Sequence, residues 1–243
     1  MGNVTTYPTQ QQLHKLVVSI HIPKTAGTSL MSEIKRGAFG RYLLDYDDRP
    51  NSAKVRNRLR RLGSRLRVRI HHRELLRKYD IVHGHFFTNK YSFLYPNVDF
   101  LTFMREPVSR LLSHYYYFKH VASKNPVTVQ KNPDIVLVAQ GRMDLVEFAR
   151  ADARTCIYER FTSGIALDAF RLIGITERYA ESINVLNSIY GTAIEPKHER
   201  RTNYTQYASG YEHLLPELRI ANRENTRIYE AALKLFEQHL RQS

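Results

Sequence analysis

Between His21 and Leu30 the chain reads His-Ile-Pro-Lys-Thr-Ala-Gly-Thr-Ser-Leu, directly after the apolar run Leu16-Val17-Val18-Ser19-Ile20. A strand that turns through small residues into a helix is an anion cradle, because backbone N–H groups of the turn and of the helix's first turn point at one spot. Lys24 and the hydroxyls of Thr25, Thr28 and Ser29 can converge there, with the N–H groups of Ala26, Gly27 and Thr28 as further donors, so a phosphate or sulfate suits the spot. A nucleoside-triphosphate loop places Lys directly after its last Gly, with a hydroxyl residue for magnesium next to that Lys. Here Thr28 comes after Gly27, Lys24 stands three residues earlier and Pro23 opens the turn, which fits magnesium triphosphate poorly and another phosphate-bearing donor better. The competing reading is a plain strand-to-helix turn with Lys24 solvated and Thr28-Ser29 capping the helix.

Two further stations have residue types suited to chemistry. His83-Gly84-His85 comes after the apolar pair Ile81-Val82, and an imidazole, titrating near neutrality, can take a proton from an attacking hydroxyl. The same pair could instead be strand-end histidines bonded to backbone. Arg105 comes after Phe100-Leu101-Thr102-Phe103-Met104, and Ser113 lies about two helical turns on; a guanidinium and a hydroxyl so placed could grip one phosphate. An Arg beside a helix start is also a common surface ion-pair partner.

The elements that must position these residues are legible in the apolar runs. Leu16–Ile20, Ile81-Val82, Phe100–Met104 and Leu172–Ile175 alternate with helix-like segments, the rhythm of a parallel sheet covered by helices. Pro107 suits a first helical position, and Val108, Leu111, Leu112, Tyr115 and Tyr116 mark the buried face of that helix. In open parallel sheets ligands sit beyond the carboxyl ends of the strands, which is where His83-Gly84-His85, Arg105 and Thr176-Glu177-Arg178 fall.

The chain of 243 residues, 42% hydrophobic, is read as one globular α/β domain over 1–243, with 1–14 as a flexible N-terminus. Met1-Gly2-Asn3-Val4-Thr5-Thr6 matches a myristoylation pattern, but the pattern is short enough to arise by chance. No apolar run approaches the roughly 20 residues of a membrane span, and the start has no secretory apolar core, so a cytoplasmic protein is expected. A lone Cys156 without redox or ligand spacing agrees with that, and no metal-ligand motif appears among the eleven His residues. Lys plus Arg exceed Asp plus Glu by 37 to 23, a formal charge of +14. Eleven basic residues crowd between Lys54 and Lys78, where only Glu74 is acidic. Val55, Leu59, Leu62, Leu66 and Ile70 recur there at helical spacing, which predicts two amphipathic helices broken near Gly63, arginines outward and the apolar stripe on the core. A polyanionic partner fits the charge; no nucleic-acid-binding motif accompanies it.

Taken in order, these segments resemble the PAPS-dependent sulfotransferases, in the branch that includes the heparan sulfate and uronyl 2-O-sulfotransferases. The resemblance covers about Leu16 to Leu240 and implies a P-loop-like three-layer fold, a central parallel sheet flanked by helices, with 3′-phosphoadenosine 5′-phosphosulfate as donor. It places Pro23-Lys24-Thr25-Ala26-Gly27-Thr28-Ser29 at the 5′-phosphosulfate and Arg105 with Ser113 at the 3′-phosphate, with Glu106 where relatives usually have Asp. It matches the family's His-Gly-His to His83-Gly84-His85 and its G-x-T-E-R segment to Gly174–Arg178. Arg200, Arg201 and Thr202 stand where relatives have a basic loop closing over the donor.

The resemblance therefore implies an O-sulfotransferase that leaves PAP as product and requires no metal. Lys24 would neutralise the departing phosphate, His85 would act as base, and His83 would orient it or contact the acceptor. The acceptor is expected to be hydroxylated, with an anionic glycan or a glycolipid among the candidates, in a soluble enzyme of bacterial type. Two other readings stay open on the residues alone. One is a non-catalytic nucleotide- or polyanion-binding module, distinguished by whether Lys24 and His85 support turnover. The other is a P-loop small-molecule kinase, distinguished by dependence on ATP and magnesium.

Overall fold

A computed structural model describes residues 15–48, 55–124, 133–153, 156–196 and 210–242. Five parallel strands form one sheet: β1 (Leu16–Ile20), β2 (Tyr42–Asp45), β3 (Ile81–Gly84), β4 (Val98–Met104) and β5 (Phe170–Ile175), in the order β2-β3-β1-β4-β5. β1 sits at the centre because every one of its residues is buried, and alternate residues serve opposite faces. Leu16, Val18 and Ile20 enter one apolar cluster and Val17 the other.

Helices cover both faces. On the Val17 side lie α1 (Gly27–Lys35), through Leu30 and Ile34, and α8 (Tyr179–Tyr190), through Ile183 and Leu186. On the Val18 side lie the segment Phe86–Leu94, α7 (Ile157–Thr162), and parts of α2 (Val55–Ile70) and α3 (His72–Lys78) through Val68 and Leu75. The C-terminal α10 (Arg223–Gln242) sends Ala232 to one face and Phe236 to the other, beside β5. A satellite cluster joins α4 (Pro107–Lys124), α5 (Pro133–Ala139), α6 (Leu145–Ala153) and α9 (Leu215–Ala221). The three-layer α/β arrangement and the four apolar-run strands are as the sequence implies.

Two expectations fail. β2 is not among the apolar runs, since its Tyr-Leu-Leu-Asp is a short, half-exposed edge strand rather than a buried one. Its entry alongside β3 explains Gly84: a Cβ there would lie 1.7 Å from the Asp45 carbonyl oxygen. The basic segment also differs. α2 runs unbroken through Gly63 to Ile70, and Leu59, Leu62, Leu66 and Ile70 are 64%, 62%, 59% and 65% exposed rather than packed on the core. The inward face is instead Asn57, Ser64 and Val68, with the Arg61 guanidinium 5.8 Å over the Phe87 ring. Helical spacing identifies a face but not which side of the helix meets the sheet layer.

Candidate active site

The loop after β1 is held in an uncommon shape. Lys24 and Ala26 have φ of 70° and 69°, the left-handed region that costs a non-glycine residue about 1–2 kcal/mol. Ala26 is the N-cap of α1 and offers no side-chain cap, and the helix's first turn has no acidic residue. The Ser29 N–H donates to the Ala26 carbonyl at 3.0 Å, so the Gly27 and Thr28 N–H groups stand ahead of that bond at the positive end of the helix. Thr25 departs from its expected use: its buried hydroxyl donates to the Ile22 carbonyl at 2.9 Å and closes the loop instead of facing an anion. Thr28 is half-buried, Ser29 is buried, and the Lys24 ammonium lies 4.4 Å over the Tyr117 ring of α4.

Strain of this kind predicts that Ala26→Gly raises stability by about 1 kcal/mol, a gain of roughly 2–4 °C in Tm. Gly27→Ala should do the opposite, because its Cβ would lie 1.9 Å from the His21 ring. Thermal melts of the two variants check both signs; an Ala26→Gly protein that melts earlier than the parent would contradict the strained-loop reading.

That contact ties the cradle to a cluster of histidines. His21 leaves the end of β1, and its ring stacks on His85 (4.2 Å between centroids, 27° between planes) and on His83 (5.2 Å, 24°). β1–β3 pairing sets Ser19 beside His83, and Ser19 Oγ lies 2.8 Å from His83 Nδ1. His85 Nδ1 lies 2.5 Å from the His21 carbonyl oxygen. A carbonyl only accepts, so Nδ1 holds the hydrogen and, in the neutral ring, Nε2 presents a lone pair. Tyr46 completes the wall, its hydroxyl 2.9 Å from His21 Nδ1 and its ring edge-on to His85 at 4.9 Å.

All three imidazoles are pushed toward the neutral form. Burial, then the nearby His85, takes His83 down to about 3, with the Gly27 backbone opposing the shift without closing a regular hydrogen bond to Nε2. His21 is lowered well below 6.5 by burial and by His85, His83 and Lys24. Burial also lowers His85, against the bond to the His21 carbonyl. Burial raises the Tyr46 phenol to about 12. The rings stack rather than aim their nitrogens at one point, and among the described residues no group of His, Cys, Asp or Glu is placed to hold a metal ion.

A buried ionic cluster fixes the end of β2 and so Tyr46. Lys90 Nζ lies 2.5 Å from Asp45 Oδ2 and 2.9 Å from Asp48 Oδ1, and the Tyr91 hydroxyl donates to Asp45 Oδ2 at 2.7 Å. Breaking such a cluster by removing one partner is strongly destabilising, because the other charge is left buried alone.

At the end of β4, Arg105 sits half-buried with its Nε 3.8 Å from Glu177 Oε1. Its backbone is clamped by Tyr158, whose hydroxyl accepts from the Arg105 N–H at 3.1 Å and donates to its carbonyl. Glu106 caps α4, accepting from the N–H groups of Val108 (3.0 Å) and Ser109 (2.7 Å), and Pro107 takes the first helical position. Ser113 is buried on that helix. The Thr176-Glu177-Arg178 turn braces the strand ends: Thr176 donates to the Met104 carbonyl at 3.0 Å, and Glu177 accepts from the Glu106 N–H at 3.0 Å. Beneath, Arg110 pairs with Asp152, which also lies 3.2 Å from His114 Nδ1. Burial pushes the Asp152 carboxyl up, but Arg110 and His114 bring it net down to about 2.

The carboxyl ends of β1, β3 and β4 thus carry Lys24, His83 with His85, and Arg105, the stations marked in the sequence. Arg200, Arg201 and Thr202 lie outside the described residues. Sequence reasoning missed His21 as a member of the site and missed Tyr46. His21 comes directly after a strand, the same signal that singled out Arg105. Tyr46 could not be placed without β2.

No family model and no curated protein matches this chain. Among solved structures, a sulfotransferase from Alicyclobacillus acidocaldarius is similar with a TM-score of 0.39 and 11% identity, over 84% of this chain and 94% of that one. A likeness so low has no weight for the chemistry, which rests on the geometry of the loop and the histidines.

Proposed function

We propose that this chain is a PAPS-dependent O-sulfotransferase that moves a sulfuryl group to a hydroxyl of a carbohydrate or glycoconjugate. The observation that supports it most directly is the joining of an uncapped helix N-terminus, shaped by left-handed Lys24 and Ala26, to a neutral, half-buried His85 through the His21 ring. An uncapped first turn with no acid beside it fits the phosphosulfate end of the donor. When bound, PAPS would supply an activated sulfuryl group whose transfer leaves PAP.

The residues then divide the work. Lys24 and the first-turn N–H groups of α1 neutralise negative charge at the phosphate end. Arg105, held at one end by Glu177, and Ser113 serve the 3′-phosphate. His85, with its Nδ1–H anchored on the His21 carbonyl, keeps Nε2 ready to accept the acceptor's proton, and the stacked His21 and edge-on Tyr46 fix the ring's plane. His83, 1% exposed, serves as support for its neighbours rather than as a contact for the acceptor.

Saturating PAP should raise the melting temperature in the presence of EDTA, by about 2.7 kcal/mol of added stability at a hundred times its Kd, while ATP with magnesium does much less. A melting curve unmoved by PAP would remove the donor assignment. Arg105→Ala should weaken PAP by roughly 1.5–3 kcal/mol and scarcely change adenosine 5′-phosphosulfate, which lacks the 3′-phosphate. Isothermal titration with both ligands separates that contact from misfolding, which would weaken both alike.

A further inference from the structure

α2 carries an apolar stripe that no core cluster among the described residues uses. At about 100° per residue, Leu59, Leu62, Leu66 and Ile70 fall on one narrow face, almost opposite the inward face of Asn57, Ser64 and Val68. The four are each more than half exposed, so the helix is already docked by its other side and turns this stripe to solvent. Exposed Arg60 and Arg67 border one flank of the stripe and exposed Arg58 the other, with Arg69 near it, its guanidinium 5.2 Å over Phe93. No acidic residue occurs from Val55 to Arg73.

Such an arrangement selects its occupant by charge. A second copy would set arginine rows against arginine rows, which repel. A flat anionic surface with an apolar interior receives the stripe and both rims at once, the leucines below the headgroups and the guanidinium groups among them. The helix is about 24 Å long, suited to lying in a surface. No helix among the described residues is long and apolar enough to cross a membrane.

We propose that α2 is an in-plane docking helix that seats Leu59, Leu62, Leu66 and Ile70 in the interface of an anionic phospholipid bilayer. This stands apart from the sulfuryl-transfer reading and uses none of its residues.

The chain has no tryptophan, so Leu62→Trp introduces a single fluorescent probe on the stripe. With vesicles of phosphatidylcholine containing a third phosphatidylglycerol, the full-length protein should co-sediment and the probe's emission should shift to the blue; with phosphatidylcholine alone neither should occur at moderate salt. Replacing Leu59, Leu62 and Leu66 together by Asp should lower the partition coefficient at least about tenfold, while the melting temperature, set by the other face of the helix, stays near that of the parent. Three results would overturn the proposal. The parent stays in the supernatant with anionic vesicles; the triple Asp variant pellets as well as the parent, leaving only diffuse surface charge; or the probe shifts with protein concentration in the absence of lipid, marking a protein partner on the stripe.

Discussion

In the proposed sulfuryl transfer, His85→Ala should lower turnover by about 10²–10⁴, the usual worth of a positioned base, while PAP binding and melting temperature should stay close to those of the parent. The expectation rests on three features of one ring. His85 is half-buried and so within reach of an acceptor; its Nδ1–H is committed to the His21 carbonyl, which leaves Nε2 as the acceptor of a proton; and burial holds it neutral at pH 7. Because its pKa lies below the ordinary 6.5, turnover should fall only on an acid limb below that value and run flat from pH 7 to 8. His83→Ala should behave differently, costing stability more than chemistry, since it empties a fully buried site and leaves Ser19 without its 2.8 Å partner. Near-parental turnover in the His85 variant, or an acid limb that survives the substitution, would move the base elsewhere.

Acidification from pH 7 to pH 5 should remove on the order of 2 kcal/mol of folding stability through His83 alone, with His21 acting in the same direction. The direction of the shifts sets the sign. In the unfolded chain both histidines take up protons as the pH falls through about 6.5, whereas in the folded protein His83 stays neutral down to about 3 and His21 is held well below its ordinary value. The unfolded state therefore binds more protons between these limits. The stability is fully present above about 6.5 and is lost as the pH falls through the window, at up to about 1.4 kcal/mol per pH unit for each ring. His114, lowered by burial, adds to the trend, and Asp48, raised by burial, opposes it. Urea unfolding at pH 5, 6 and 7 measures the slope, and His83→Asn should remove the roughly 2 kcal/mol assigned to that ring. A slope that His83→Asn leaves unchanged would show that this ring is not held neutral in the folded protein.

Much of the fold was legible because of how parallel strands are buried. β1, β3, β4 and β5 are buried at nearly every position, so they read as apolar runs, and the chemistry-bearing residues could be sought directly after them. The helix after β4 was legible for a local reason as well: Pro107 suits a first turn whatever lies around it, and Glu106 reaches its own helix's N–H groups. β2 escaped because an edge strand of four half-exposed residues carries little hydrophobic signal, and its loss hid Tyr46 and the Lys90 cluster that fixes it.

By itself, then, the sequence determined the strand–loop–helix order, the parallel sheet and the stretches from which a phosphate cradle and a histidine base could be built, since these depend on local spacing and on which residues avoid water. Only the tertiary structure decided which groups meet. His21, Tyr46, His83 and His85 come from three strands up to 64 residues apart and stack because the register of β2, β3 and β1 brings their ends level, with Gly84 and Gly27 making room. It decided equally that Thr25 turns inward and that the leucines of α2 face solvent. A helical period marks a face, but which face is buried depends on what lies across from it, and that is a property of the assembled layers.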